Sequence, residues 1–175
     1  MGLRDWPPVR RTRRNHAIEH ATIHVLSRRH PTKSFAGRSD SGGFYILGDT
    51  EADDVRSAVA EAIERLRDEP RLAIHPFCGT NLVVGGILAG LASTVALMTM
   101  PRDERGTRAS IALPRMLLAG TLAAVVSQPL GPVVQRRVTV LPDSEGVRVR
   151  SIETSGRGLG KRHRVSLEDV PSDRA

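Results

Sequence analysis

The sequence predicts an α+β fold: a small soluble α/β domain with an inserted two-helix transmembrane hairpin and a C-terminal β-hairpin. Helical and strand-like apolar spacings alternate over residues 1–79. Two stretches of nineteen residues, 82–100 and 116–134, carry no charge. The chain then returns to short alternating apolar runs. The expected organisation is therefore an α/β domain over 1–79, a transmembrane hairpin over 80–134, and a β-hairpin with a basic tail over 135–175.

The elements follow in order. Asn15 is a candidate N-cap for a helix over residues 15–29, stopped by His30 and Pro31. In "KSFAGRSDSGGFYILGD", Gly42 and Gly43 separate two short runs and predict a β-hairpin. Asp49 or Thr50 then caps "EADDVRSAVAEAIERLRDE". There Val55, Val59, Ile63 and Leu66 recur at helical spacing and acids crowd the first turn. Pro70 ends that helix, and "RLAIH" reads as a short strand leading into "HPFCGTN". The first uncharged stretch is long enough for a hydrocarbon core of about 30 Å. The second contains Gln128, Pro129 and Pro132, which place a break near its end. Gly86 with Gly90, and Gly120 with Ala124, form small-residue pairs suited to helix contacts and to a homo-oligomer. Farther on, Val138, Val140, Val147 and Val149 alternate around a Pro-Asp-Ser-Glu-Gly turn, predicting the last hairpin. "HRVSLEDV" adds an edge strand or stays disordered.

Charge narrows the partners. The 175 residues include 26 Lys and Arg against 19 Asp and Glu, a net charge of +7. The arginines cluster at positions 10, 11, 13, 14, 136 and 137. Such a chain is drawn to anionic surfaces. With three Phe, one Trp and one Tyr there is no stacking platform for single strands, which argues against nucleic acid and for anionic lipid head groups. The mean hydropathy of −0.22 hides the two apolar stretches. Arg65, Arg67, Arg71, Arg136 and Arg137 flank the hairpin on one side. Arg102, Arg105, Arg108 and Arg115, offset by Asp103 and Glu104, lie between its spans. This bias favours a multi-pass protein of the cell membrane with the soluble domain and both termini cytoplasmic. The N-terminus lacks the apolar core of a signal peptide. A lone cysteine, Cys78, fits a reducing compartment.

The chemistry concentrates in "NHAIEHATIHVL". His16, Glu19 and His20 form an H-x-x-E-H motif. Residues four apart on a helix share a face, so two imidazoles can bind one ion from the same side. In zinc hydrolases with this inverted motif the histidines are ligands and the glutamate is the general base. A site in the first helical turn also keeps imidazoles neutral through the helix dipole. His75 and Cys78, in "HPFCGTN", are candidates to complete a zinc-type set, with His24 a further one. Ile23 and Leu26 lie beside the histidine face, so these rings need partners. His30 reads as a helix-end residue, Asp40 and Asp49 as turn and cap residues, and His163 as solvated in the basic tail.

These motifs, in this order, resemble a family of bacterial two-span membrane proteins of unknown function: HA-x-EHA, a "GRSD…GF" hairpin and "AIHP-x-CGTNL" ahead of two spans. The resemblance covers roughly residues 14–140. At the two motifs alone the chain is also similar to the YqhQ-like predicted metal-dependent membrane enzymes. The resemblance implies that His16, Glu19, His20, His75 and Cys78 belong to one site. The expected function is metal-dependent hydrolysis at the membrane surface. The alternative is a non-enzymatic scaffold or transport-associated subunit in which the same residues form a structural polar clasp.

Overall fold

The computed structural model describes Gly2, residues 5–100 and residues 109–170. It forms two compact units. One joins residues 1–75 to 136–175, and the other comprises residues 76–135. The sequence-expected loop charges at 102, 103, 104, 105 and 108 lie outside the described residues.

The first unit is an antiparallel sheet packed with two helices. Its elements are α1 (Pro7–Arg29), β1 (Ala36–Asp40), β2 (Gly43–Leu47), α2 (Ala52–Asp68), a 3-10 turn (Pro70–Ala73), β3 (Val147–Ser155) and β4 (Arg162–Asp169). The strand order is β1-β2-β4-β3. The β1–β2 hairpin forms as expected, with Asp40 opposite Gly43. Gly43 has φ +149°, and a side chain there would strike the Val165 carbonyl. Only glycine accepts both conditions. The core sits between helices and sheet: Ile18, Leu26, Phe44, Ile46, Val59 and Leu66 are fully buried. Each such side chain stabilises the fold by about 1.5–3 kcal/mol relative to exposure.

Five local expectations are corrected. The first helix begins at Pro7, eight residues before Asn15. Prolines are compatible with a first turn, whose N–H groups have no helical partner. Asn15 is therefore a buried mid-helix residue, and its Nδ2 donates to the Asp40 carbonyl (2.8 Å). "RLAIH" is not a strand but a 3-10 turn, whose Ala73 carbonyl and the following Ile74 carbonyl turn to α1 side chains rather than to a ladder. The hairpin expected around residues 138–149 does not form. Val140 and Val147 are both buried, but the segment between them bonds to helices: Leu141 N–H donates to Arg13 O (3.0 Å) and Ser144 Oγ to Ile63 O (2.9 Å). The true partner of β3 is β4, and β4 is an interior strand paired on both sides, not an edge. His163, on β4, is buried rather than solvated.

The second unit holds α3 (Gly79–Met98), α4 (Ala109–Val126) and α5 (Leu130–Val134). Helix α3 is long and apolar enough to cross a membrane by itself. The later stretch qualifies only as a bent pair, Ile111–Val126 with Leu130–Thr139, turned by 54° at the break. That break falls where Gln128 and Pro129 predicted it. Helices α3 and α4 pack closely at Gly120, where an added Cβ would lie 2.6 Å from Ser93 Oγ. Ser93 Oγ also donates to the Met116 carbonyl (2.9 Å). At its start α3 is tied to the end of the unit: Gln135 Nε2 donates to Asn81 Oδ1 (2.7 Å), and Asn81 Nδ2 to the Pro76 carbonyl (2.5 Å).

Candidate metal centre

Four imidazoles of the first unit form a continuous row. His16, His20 and His24 recur every fourth residue on α1, and His75 follows the 3-10 turn that packs beside them. Ring centroids are 4.3 Å apart for His16 and His20, 5.6 Å for His20 and His75, and 4.9 Å for His75 and His24. The row lies two to five turns inside α1. The dipole of the first turn therefore does not act on it, contrary to the sequence expectation, because the helix starts at Pro7.

Backbone carbonyls set the rings. His16 Nδ1 faces the Thr139 carbonyl (3.1 Å), His20 Nδ1 the Ala73 carbonyl (2.6 Å), and His24 Nε2 the Ile74 carbonyl (3.0 Å). A carbonyl can only accept, so each facing nitrogen carries the proton. In the neutral ring the other nitrogen is then the unprotonated one: Nε2 in His16 and His20, Nδ1 in His24. Metal-ligating histidines are typically fixed in this way. Burial first, then the neighbouring His20 and His24, push His75 down to about 4, so it is neutral near pH 7.

Glu19 and Cys78 complete the sequence candidates. Glu19 is buried, and one carboxylate oxygen accepts the Ser39 hydroxyl. Gly37 lies under the same carboxylate, where an added Cβ would come within 2.7 Å of Glu19 Cγ. Cys78 belongs to the second unit, where it N-caps α3 and its Sγ accepts from Thr80 N–H (3.4 Å). Sequence reasoning missed the anchors of the row. Those of Thr139, Ala73 and Ile74 are backbone carbonyls, which leave no residue-type signal. Ser39 and Gly37 stood in the "GRSD" stretch, which carried the resemblance but was given no role. Of the bystanders, His30 caps the end of α1 and pairs with Asp54, while Asp40 holds Arg164 through two bonds of 2.7 and 2.8 Å.

The profile of a domain of unknown function, DUF6391, matches residues 11–152. The chain belongs to this family. Within the DUF6391 match lie all the candidate residues, from His16 to Cys78, together with the second unit and most of β3. The DUF6391 chain is also 36% identical over 152 residues to an uncharacterized protein of Picosynechococcus sp., covering 79% of this chain and 68% of that relative. No solved structure matches it.

Proposed function

We propose that this DUF6391 protein is a membrane-embedded metalloprotein whose first unit binds a zinc-type divalent cation through His16 and His20. The observation that carries this reading is the set of carbonyl-held imidazoles. Three rings each give one N–H to a backbone carbonyl, which fixes the tautomer and leaves the other nitrogen unprotonated, as a metal ligand must be. An all-imidazole set suits zinc among the common cations, with His75, His24 and, on sequence spacing, Cys78 as further donors. When bound, such an ion polarises a carbonyl and acidifies water, the chemistry of hydrolysis of a peptide or a lipid-linked substrate. Glu19 is the residue to act as base there, held by the Ser39 hydroxyl. Purified full-length protein should carry metal by elemental analysis, and a His16→Ala/His20→Ala variant should carry less. If neither contains metal after reconstitution with Zn²⁺, the proposal fails. Given a metal-loaded protein, Glu19→Gln should keep the metal and lose turnover. Cys78→Ser should lower affinity if the thiolate is a ligand.

The membrane reading rests on α3, on the bent pair that follows it, and on the chain's return. Strands β1 and β2 precede the apolar segments and β3 and β4 follow them, yet all four form one sheet. A segment that leaves and re-enters one folded unit must come back to the side it left. The proposed topology is two crossings, the second broken near Pro129, with the first unit at the cytoplasmic surface facing anionic head groups. Leu82, Leu91, Leu117, Leu122 and Val126 are all exposed on the second unit, as lipid contact requires.

One observation favours the second reading, a structural clasp in a scaffold or transport-associated subunit. The part-buried Ser39–Glu19 bond ties α1 to β1, as a clasp would. In that case Glu19→Gln lowers stability modestly, Glu19→Ala lowers it more, and neither changes metal content.

A further inference from the structure

We propose that the histidine row holds two metal ions: His16 and His20 bind one, and His24 and His75 bind a second. This rests on the metal reading above and deepens it. A ligating nitrogen sits about 2.0–2.1 Å from a zinc-type ion, so nitrogens sharing one ion lie within about 4 Å of each other. His16 and His24 are eight residues apart on one helix, about 12 Å along its axis. Each is also held at its own place, His16 by the Thr139 carbonyl and His24 by the Ile74 carbonyl. They cannot both close on a single ion without breaking an anchor.

The tautomers divide the row at the same point. His16 and His20 are protonated at Nδ1, so their unprotonated nitrogen is Nε2, at the tip of the ring. His24 is turned the other way: it is protonated at Nε2 and offers Nδ1, close to its own backbone. The donor point of His24 is therefore not the one that the tips of His16 and His20 serve. The ring nearest to His24 is His75, with centroids 4.9 Å apart, against 5.6 Å from His75 to His20. Ring centroids are thus 4.3 Å apart within the first pair and 4.9 Å within the second. Successive carbonyls of the turn grip successive rings, Ala73 holding His20 and Ile74 holding His24, and His75 is the next residue. The second pair offers two imidazoles and no carboxylate, so the class of ion is again a borderline cation such as Zn²⁺, Co²⁺ or Ni²⁺.

The test is stoichiometry. Full-length protein in detergent is stripped with chelator and titrated with Co²⁺, read by its visible absorption, and with Zn²⁺, read by elemental analysis after desalting. The expected result is two equivalents in wild type. One equivalent should remain in His24→Ala, in His24→Gln and in His16→Ala/His20→Ala, with different Co²⁺ spectra for the two remaining sites. One equivalent in wild type, unchanged by the His24 substitutions, would overturn the second ion while leaving the metal reading intact. So would a His24 variant that loses all metal, since that denotes one shared site. No bound metal in wild type would overturn the parent reading as well. The wild-type count needs no variant to fold, and circular dichroism of each variant reports whether its own count is usable.

Discussion

A methyl group at position 37 would overlap the Glu19 carboxylate, and this gives the buried acid a testable neighbourhood. Gly37 lies in β1 with ordinary strand dihedrals, so glycine is needed there for space and not for conformation. Gly37→Ala should destabilise the protein by roughly 1–3 kcal/mol, as forced overpacking does. In a Glu19→Ala background the same change should cost little, and denaturant unfolding of the four proteins measures that coupling. An equal cost in both backgrounds would place the strain elsewhere. His163 offers a second residue-level test. Burial first, then the charge of Lys161, lower its proton affinity, and its Nδ1 sits 2.9 Å from Thr154 Oγ1. The folded state therefore favours the neutral ring. The stability this contributes is complete above the ordinary value of 6.5 and is lost as the pH falls below it. Between about pH 7 and 5, metal-free wild type should lose stability faster than His163→Gln. His75 acts in the same direction, so the variant keeps a residual slope. Parallel melting curves across that range would count against this account.

At the scale of elements, the two small-residue pairs of the apolar segments separate. Gly120 lies against Ala89 and Ser93 of α3, whereas a Cβ on Gly86 or Gly90 would meet nothing. Gly120→Leu should thus push α4 off α3 and lower the melting temperature in detergent, while Gly86→Leu and Gly90→Leu should not. Cross-linking of the latter two reports whether their open face joins a second copy. The same contrast shows what the sequence made legible. Helix α2, the β1–β2 hairpin and the break near Pro129 were written in local signals: apolar spacing, acids in a first turn, paired glycines, prolines. The start of α1 was hidden because four arginines and two prolines mask a helix whose inward face appears only from Asn15 onward. The final strands were hidden because Val138 and Val140 mimic a strand, although residue 138 lies in a π-helical turn and Leu141 bonds to α1. Histidine spacing named the three rings that α1 contributes to the row. The direction each ring faces depended on carbonyls from residues 73, 74 and 139, which no local pattern brings to α1.

For the whole molecule, the sheet constrains how the apolar segments run. Because β2 pairs with β4, residues 76–135 must leave and rejoin the same folded unit. Two crossings and a single re-entrant path both meet that condition, and labelling separates them. In a Cys78→Ser background, Arg157→Cys and Arg105→Cys should react with an impermeant maleimide from opposite faces of the membrane. Reaction of both from one face would replace the two crossings with a single re-entrant path. The β2–β4 pairing also orders events during synthesis. More than a hundred residues separate Ile46 from its partner His163. The ribosome therefore delivers both apolar stretches before the strand that completes the sheet exists, and closing so long a loop is slow. Until then one edge of β2 is left unpaired, a template for pairing with another chain. The order of manufacture becomes apolar stretches first, then the Thr139 carbonyl that the His16 ring faces, and the complete sheet last.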